Sequence, residues 1–227
     1  MVPFSPLQNY QGPVPLFPLP NVVFFPHTEL PLHIFEPRYR EMVQDAMSHD
    51  GLIGMVLLKA GWEKEYQGKP PIYRMGCLGR IDHIERFPDG RYNLVLRGIN
   101  RFLLTEIESG KSIRKAKVEM IRESDESISP RRGVELRNSL FEAFSKMIEP
   151  PPWGFTVFSA PNLSLGILGD MIASCLPIDV QQKQRILEAV RVESRISALV
   201  KILEQEDERG RRVRIKQLPF VRELARS

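Results

Sequence analysis

Two cysteines and four histidines are the residues of this 227-residue chain that could bind a metal or support nucleophilic catalysis. Cys77 and His83 lie six positions apart in an alternating segment, so a regular strand would place both on one face. Two ligands fall short of the four that a structural zinc site needs. A pair of Cys77 with His83 or His33 has no helix N-terminus beside it to activate the thiol. We therefore expect a small buried thiol and a surface imidazole, and no metal site.

Clustered carboxylates are the second set of residues that could do chemistry, as a general acid and base. They fall in two polar runs, Glu123–Glu126 and Glu204–Glu208, which are typical of a solvated linker and a solvated helix end. A phosphate-binding loop is not found in the sequence, because the nearest approach, from Gly61 to Lys69, has the wrong spacing and is followed by Pro70. The sequence thus predicts no catalytic residue and no cofactor, and we expect a protein that is not an enzyme.

A basic stretch near the C-terminus is the residue set that could contact phosphate groups. Residues 209–227 contain seven Lys or Arg and one acidic residue, which leaves 25 basic and 27 acidic residues in the rest of the chain. The formal net charge of +4 therefore comes from this tail. The candidate anion or RNA contacts are Arg209, Arg211, Arg212, Arg214 and Lys216. No aromatic residue interleaves with them to stack on bases, so the alternative is a tail that is solvated or docks on the helices or on a partner.

Aromatic residues beside Gly and Pro in residues 59–73 predict a loop that contacts a partner. Trp62, Tyr66 and Tyr73 are the candidate peptide contacts. The alternative is that these rings cover the mouth of a barrel and pack on its core.

The N-terminal half of the chain has the alternating pattern of strands. Prolines concentrated in residues 1–37 disfavour helix there. Pro37 suits the first turn of a helix that ends at Gly51, and Pro88-Asp89-Gly90 predicts a hairpin turn. Gly98 interrupts an alternating run and predicts a bulge. The predicted strands are Val14–Leu19, Glu29–Phe35, Leu52–Leu58, Tyr73–Phe87, Arg91–Glu108 and Ala116–Arg122.

The C-terminal half changes to helical periodicity, with apolar residues every three to four positions. Asp179 is the expected N-cap of one helix. A β-rich half followed by a helical half makes the fold class α+β. The predicted organisation is an extended segment at 1–12, a β-barrel at 13–123, a linker at 124–130, a helical bundle at 131–208 and the basic tail at 209–227.

Composition excludes several classes of protein. Apolar residues make up 42% and charged residues 26%, as in ordinary folded proteins. The longest mostly apolar run, Leu52–Leu58, is far too short to span a bilayer, so we expect no membrane partner. The first basic residue is Arg38, which argues against a secretory signal, and two cysteines cannot build a disulfide framework. A reduced, cytoplasmic setting is expected.

Several short motifs follow one another along nearly the whole chain: Pro15–Pro26, Leu30–Arg40, Met75–Ile81, Phe87–Arg91, Leu96–Phe102, Leu168–Ile178 and Lys183–Glu188. Their order resembles that of the Lon protease N-terminal domain, in the form seen in stand-alone bacterial proteins of that family. The resemblance implies a PUA-like mixed β-barrel followed by a small α-helical bundle.

The resemblance also implies a function. In full-length Lon this region recognises unfolded or tagged substrates and assists assembly, and an ATPase and a Ser–Lys protease follow it. Because this chain ends at Ser227, we expect a non-catalytic bacterial protein that binds unfolded or tagged polypeptide through exposed apolar surface and an open sheet edge. An ATP-dependent protease and a second copy of the chain, in a homodimer, are further expected partners. The alternative is an RNA-binding PUA-like module that uses the basic tail.

Overall fold

The computed structural model describes residue 10 and residues 12–65, 68–108, 113–123, 128–149 and 163–214. The chain divides into two compact units, residues 1–122 and residues 123–227. Among the described residues, the first unit holds a mixed six-stranded sheet and the second holds most of the helices. The predicted α+β fold class is therefore confirmed.

Six strands form the sheet of the first unit: β1 (Pro13–Leu19), β2 (Glu29–Ile34), β3 (Leu52–Leu57), β4 (Met75–Arg86), β5 (Tyr92–Glu108) and β6 (Lys115–Met120). Their spatial order is β2-β5-β4-β3-β1-β6. β1 and β3 run parallel, and the other pairs run antiparallel. All six predicted strands are confirmed, with ends shifted by one or two residues.

The long strand β5 organises this sheet because it pairs with three other strands. One of its edges runs along β4, and its other edge is divided between β2 and β6. Because β6 pairs with both β1 and β5, the series of paired strands that runs from β5 through β4, β3, β1 and β6 leads back to β5. The sheet is therefore strongly curled. The curled sheet buries two apolar clusters, one around Phe102 and one around Met42 and Leu96. β2 remains as an edge strand that pairs with β5 alone among the described strands.

A bulge in β5 confirms the irregularity predicted at Gly98. The partner of β4 shifts from Asn100 to Gly98, which leaves Ile99 without an opposite residue. A Cβ atom on Gly98 would lie 2.2 Å from the carbonyl oxygen of Phe25. Glycine is therefore needed here, because the two backbones approach each other so closely.

A second bulge, in β4, overturns the expectation that Cys77 and His83 share a face. The register shifts between Ile81 and His83, so Asp82 is an extra residue and the alternation of β4 is reversed beyond it. Cys77 is fully buried, whereas the His83 side chain is 80% exposed. The predictions of a buried thiol and of a surface imidazole are confirmed, whereas the prediction that both residues lie on one face is wrong.

Helix α1 (Pro37–Met47) follows β2 after a short connection and packs on the sheet. Proline at its first position needs no hydrogen-bond partner for a backbone N–H, which suits a helix start. Met42, Val43 and Ala46 are buried in the same apolar cluster as Leu96. Gly51, with φ of +68°, then lets the chain turn into β3. The predicted helix is confirmed.

The second unit contains four helices among its described residues: α2 (Pro130–Met147), α3 (Leu165–Cys175), α4 (Val180–Glu188) and α5 (Val192–Glu208). Ser129, Ser164 and Asp179 cap the first three, because each side chain accepts a hydrogen bond from a backbone N–H in the first turn. The N-cap predicted at Asp179 is thus confirmed. Pro130, predicted as the end of a linker, is instead the first residue of α2.

A buried ion network lies inside the second unit. The Arg195 guanidinium is fully buried and donates a 2.5 Å hydrogen bond to the Glu123 carboxylate. It also lies 3.4 Å from a carboxylate oxygen of Asp170, which is itself buried. Glu123 was expected in a solvated linker. It is an ion-pair partner instead, because a buried guanidinium needs opposite charge beside it. Residues 124–127 lie outside the described residues.

Two short strands complete the second unit. β7 (Ile148–Glu149) directly follows α2 and pairs in parallel with β8 (Val213–Arg214). The sequence does not predict this pair, because two-residue strands have no periodicity to detect. The start of the basic tail is thereby held against the end of α2.

Candidate functional site

An exposed groove lies on the outer face of the sheet where β2, β5 and β4 run side by side. The strand pairing places its side chains in two cross-strand rows: Pro31, Val95 and His83, then His33, Asn93 and Glu85. These six residues define the outer groove. It has a volume of about 590 Å³, and Leu32, Ile84 and Leu94 also line it. A shallow, largely apolar groove of this size has room for a few side chains of an extended polypeptide.

Aromatic rings stand at one end of the outer groove. The His33 ring lies 6.1 Å from the Phe35 ring and 6.3 Å from the Phe87 ring, measured between centroids. Phe35 is 60% exposed, which is unusual for so large an apolar side chain. His33, Phe35 and Phe87 are together called the aromatic end. They extend the apolar surface of the groove along the same face of the sheet.

A hydrogen bond orients the histidine of the aromatic end. The Asn93 side-chain oxygen lies 2.7 Å from Nδ1 of His33, and since a carbonyl oxygen can only accept, Nδ1 donates. The imidazole is therefore held beside the two phenylalanine rings. The Arg91 guanidinium lies 5.9 Å from the centre of the Phe87 ring and is paired with Asp89.

Among the described charges around the outer groove, some are paired with an opposite charge, whereas Glu85 and its neighbour Arg86 form no ion pair. Beyond the Pro31 row, Arg97 lies 2.9 Å from a carboxylate oxygen of Glu29 and 2.7 Å from one of Asp82. Glu85 stands in the groove itself and is exposed. In the part of the chain that the structure describes, no ion pair neutralises Glu85. The groove thus combines an apolar surface with one uncompensated carboxylate.

The aromatic residues predicted as peptide contacts lie elsewhere in the first unit. Trp62 is half-buried and packs against the apolar cluster around Phe102. Tyr73 is also half-buried, and the Lys59 ammonium lies 5.7 Å from the centre of its ring. Tyr66 lies outside the described residues. Packing of Trp62 on the core agrees with the alternative that the sequence left open, and a contact role for these residues stays a prediction.

The basic tail begins with arginines that pair within their own unit. Glu206, expected on a solvated helix end, is instead buried, and its two oxygens each lie 2.7 Å from a guanidinium nitrogen, of Arg209 and of Arg211. Arg212 lies 2.9 Å from an oxygen of Asp207. Three of the predicted anion contacts are thus already paired with carboxylates. The Arg214 side chain and Lys216 lie outside what the structure describes.

Metal and thiol chemistry have little support in the described residues. Within them, no group of three or more His, Cys, Asp or Glu side chains is arranged to hold a metal ion. Both cysteines are free thiols, and burial raises the pKa of the Cys175 thiol to about 11. A thiol with so high a pKa is a poor nucleophile at neutral pH. Within the same residues, no helix combines the length and the apolar character that crossing a membrane requires.

A mixed, curled sheet with an exposed groove, joined in one chain to a helical unit, makes this an α+β protein. The chain belongs to the family described as the ATP-dependent protease La (LON) substrate-binding domain, whose family model matches residues 13–205. Membership of this family supports a role in substrate recognition. The motif-based resemblance to the Lon N-terminal domain is therefore confirmed.

Curated relatives of the chain are much longer than the chain itself. It is 31% identical to a Lon protease of Dictyoglomus thermophilum over 201 residues, which are 88% of this chain and 25% of that protein. It is 29% identical to Lon protease 2 of Myxococcus xanthus over 198 residues, which are 86% of this chain and 24% of that protein. The chain thus spans about a quarter of the length of these relatives.

Solved structures share the fold. A Lon N-terminal domain protein from Xanthomonas campestris matches with a TM-score of 0.62 and 23% identity, over 84% of this chain and 98% of that one. The N-terminal domain of the Mycobacterium avium complex Lon protease matches with a TM-score of 0.63 and 18% identity, over 85% of this chain and 98% of that one. Both likenesses concern the fold alone.

The groove residues were not singled out by sequence reasoning, although one signal for them exists. In Glu29–Phe35 the alternation that buries Ile34 must turn Phe35 outward. An outward phenylalanine at the end of an edge strand is the kind of residue that marks a contact surface. Phe87 and His33 join it only through strand pairing, which no local pattern in the sequence reveals.

Proposed function

We propose that this chain recognises exposed segments of unfolded or tagged proteins, and that the outer groove and the aromatic end contact those segments. The observation that carries the proposal is the apolar surface on one face of the sheet that the exposed Phe35 forms with the half-buried Phe87 and Val95. Unfolded polypeptides differ from folded ones chiefly in exposing apolar side chains, which such a surface can cover. Membership of a substrate-binding domain family supports the same role.

The groove favours contact with side chains over the addition of a strand. β2 is an edge strand, and an edge strand is where an extended peptide would pair with the sheet. Pro31 lies in the middle of β2 and has no backbone N–H to donate to such a peptide. Proline is one of the devices that protect sheet edges from pairing. We therefore expect apolar side chains of the bound segment to fill the groove and to pack on the aromatic end.

Replacement of the aromatic end by polar residues tests this proposal. A double Phe35→Ser, Phe87→Ser variant should bind a fluorescently labelled, permanently unfolded protein at least tenfold more weakly than the unchanged chain, because the apolar contact area is lost. Fluorescence anisotropy measures the dissociation constant. Circular dichroism of each variant shows whether the fold is retained.

Val134→Ser is the matched control for that variant. Val134 lies on α2 and is 60% exposed, as Phe35 is, so the control removes an equally exposed apolar side chain from the second unit. Its dissociation constant should equal that of the unchanged chain. Equal weakening by the control and by the double variant would show that exposed apolar residues act without regard to position, and would overturn the assignment of the groove.

Trp62, Tyr66 and Tyr73 remain a second proposed contact set. A Trp62→Ala, Tyr73→Ala variant tests this set in the same assay. Because Trp62 packs on the core, circular dichroism is used to check that the variant is still folded. If these residues are the main contacts, this variant loses binding while the Phe35→Ser, Phe87→Ser variant keeps it.

RNA binding through the tail remains the alternative function, and the pairing of its arginines weighs against it. A phosphate group must compete with Glu206 for Arg209 and Arg211, and with Asp207 for Arg212. Deletion of residues 209–227 should abolish a salt-sensitive affinity if the alternative holds. We expect no measurable RNA binding by the intact chain even at low salt.

The absence of catalysis, the partners and the location belong to the same proposal. We expect neither ATPase nor peptidase activity from the purified chain. An ATP-dependent protease is the proposed partner that would receive the bound segments, and a homodimer is the proposed self-association. The cytoplasm is the proposed location, which fits two free thiols.

A further inference from the structure

We propose that the outer groove selects segments in which a lysine or arginine lies next to apolar residues, and that the Glu85 carboxylate and the aromatic end together hold the cation. This inference rests on the proposed function and names the chemistry of the segments bound. Glu85 lies on the outer face of β4, opposite Asn93.

Strand geometry places the carboxylate beside aromatic rings. Phe87 lies two positions beyond Glu85, and alternate residues of a strand project from the same face. Asn93, opposite Glu85, is hydrogen-bonded to His33, whose ring contacts the rings of Phe35 and Phe87. A carboxylate near aromatic rings attracts an ammonium or guanidinium group in two ways, by its own charge and by the quadrupole of the rings.

Two arginines near the groove are paired with other carboxylates, so the position beside the Glu85 carboxylate is open to an incoming cation. Arg91 already approaches the Phe87 ring, but Asp89 compensates its charge at a distance of 2.6 Å. Arg97 is compensated by Glu29 and Asp82. Among the described residues that line the groove, Glu85 alone carries a formal charge when His33 and His83 are neutral. The groove therefore complements a positive charge set among apolar side chains and disfavours a negative one.

Both the alkyl chain and the charge of a lysine or arginine side chain suit this site. The alkyl part of either side chain can lie along Val95 or along Phe35 while the charged group reaches the carboxylate. An aspartate or glutamate in the same segment would meet the charge of Glu85 with no cation in the groove to offset it. The preference for a cation thus distinguishes among apolar segments, and binding still depends on the apolar contact.

Two peptides that differ at one position test the inference. Both have the same alternating phenylalanine, leucine and serine residues, and the central residue is lysine in one and glutamate in the other. Fluorescence anisotropy gives the dissociation constant of each for the unchanged chain. We expect the lysine peptide to bind about fivefold more tightly, a preference of the size that one exposed ion pair with a cation–π contact gives. In Glu85→Lys the preference should reverse, and in Glu85→Gln it should nearly vanish.

Glu119→Lys is the matched control for Glu85→Lys. Glu119 is an exposed carboxylate on β6, so the control makes the same change of net charge in the same unit but outside the groove. The lysine preference should persist in it. If Glu119→Lys shifts the ratio as far as Glu85→Lys does, the preference comes from net charge and the inference is wrong.

The remaining outcomes separate the inference from the function on which it rests. Equal binding of both peptides to the unchanged chain, with loss of binding in the Phe35→Ser, Phe87→Ser variant, overturns the inference and leaves the proposed function standing. No binding of either peptide, together with no binding of an unfolded protein, overturns both.

Discussion

Cys175 shows how its surroundings set the chemistry of a single residue. Burial of its sulfur raises the pKa of the thiol to about 11, while the Ser174 hydroxyl and the charge of Lys183 oppose that shift only in part. Burial also lowers the pKa of Lys183, whose ammonium donates a 2.8 Å hydrogen bond to the carbonyl oxygen of Ser174. The residue types alone suggest a reactive Cys–Lys pair, but the shift of the thiol pKa is in the direction that suppresses reactivity.

We predict that neither thiol of the folded chain reacts readily with a thiol reagent at pH 8. About one Cys175 side chain in a thousand is ionised at that pH, and Cys77 is fully buried. A colorimetric disulfide reagent should count no thiols at once in native buffer and two after addition of denaturant. Rapid reaction of one thiol in the folded chain would contradict this prediction.

The Cys175 thiol also gives a direction for the dependence of stability on pH. Because its pKa is raised on folding, its contribution to stability is complete below the pKa of an unfolded thiol, at about 8.5, and is lost as the pH rises towards 11. In a Cys175→Ala variant, the melting temperature should therefore fall less steeply with rising pH in this range than in the unchanged chain.

Arg195 is the centre of the buried ion network in the second unit. It is fully buried, and Asp170 is buried beside it. Asp170→Ala should lower the free energy of unfolding by about 3 kcal/mol, because it leaves a buried guanidinium with part of its counter-charge removed. Urea unfolding followed by circular dichroism measures the loss.

Arg131→Ala provides the control for a surface ion pair. The Arg131 side chain is 92% exposed and pairs with Glu135 one helical turn away. Exposed pairs contribute little, so the unfolding midpoint should not move measurably. Equal effects of Asp170→Ala and Arg131→Ala would show that burial of the network adds nothing to stability.

At the scale of the elements, glycines allow neighbouring strands to pack closely. A Cβ atom on Gly76 of β4 would lie 2.4 Å from the carbonyl oxygen of Met55 and 2.6 Å from the Phe102 ring. Gly76→Ala should therefore lower the free energy of unfolding by about 2 kcal/mol through overpacking. Thermal unfolding followed by circular dichroism reports the change.

Gly133→Ala makes the same substitution where space is available. Gly133 lies in the first half of α2, and the nearest atom to an added Cβ would be 3.9 Å away, in Ile128. Because alanine favours the helix, this variant should be more stable by about 0.5–1 kcal/mol. Destabilisation by both variants, to a similar degree, would contradict the packing argument.

Strands and helices were predictable from the sequence where a local pattern specifies them. Proline at the first helical position, Asp179 as an N-cap and the turn at Pro88-Asp89-Gly90 each act within a few residues. The bulge at Asp82 was not predictable, because an extra residue changes the face only relative to a partner strand. The β7–β8 pair depends on residues 65 positions apart and was missed for the same reason.

At the scale of the whole molecule, the fold was accessible from motifs spread along the chain, whereas the site was not. The outer groove joins residues of β2 to residues of the β4–β5 hairpin, which lie about fifty or more positions further along the chain. Only the register of the sheet brings them to one face, and that register is set by long-range pairing. The ion pair of Glu123 with Arg195 shows the same limit, since Glu123 was expected in solvent and its partner lies far away in the sequence.

The net charge of the whole molecule does not show where its charged residues lie or how they are paired. The net charge of +4 comes from the tail, yet the first three arginines of that tail pair with carboxylates at the end of α5. An anionic partner would therefore have to compete with these carboxylates for the described arginines of the tail.

Where a polypeptide contacts the chain is measured most directly by nuclear magnetic resonance. An unlabelled apolar peptide is titrated into chain labelled at its isoleucine and valine methyl groups and at its backbone amides. We predict the largest shift changes at the methyl groups of Val95 and at the amides of β2, with no change at Val134. The largest changes at Trp62 and Tyr73, or in residues 209–214, with Val95 unmoved, would contradict this prediction.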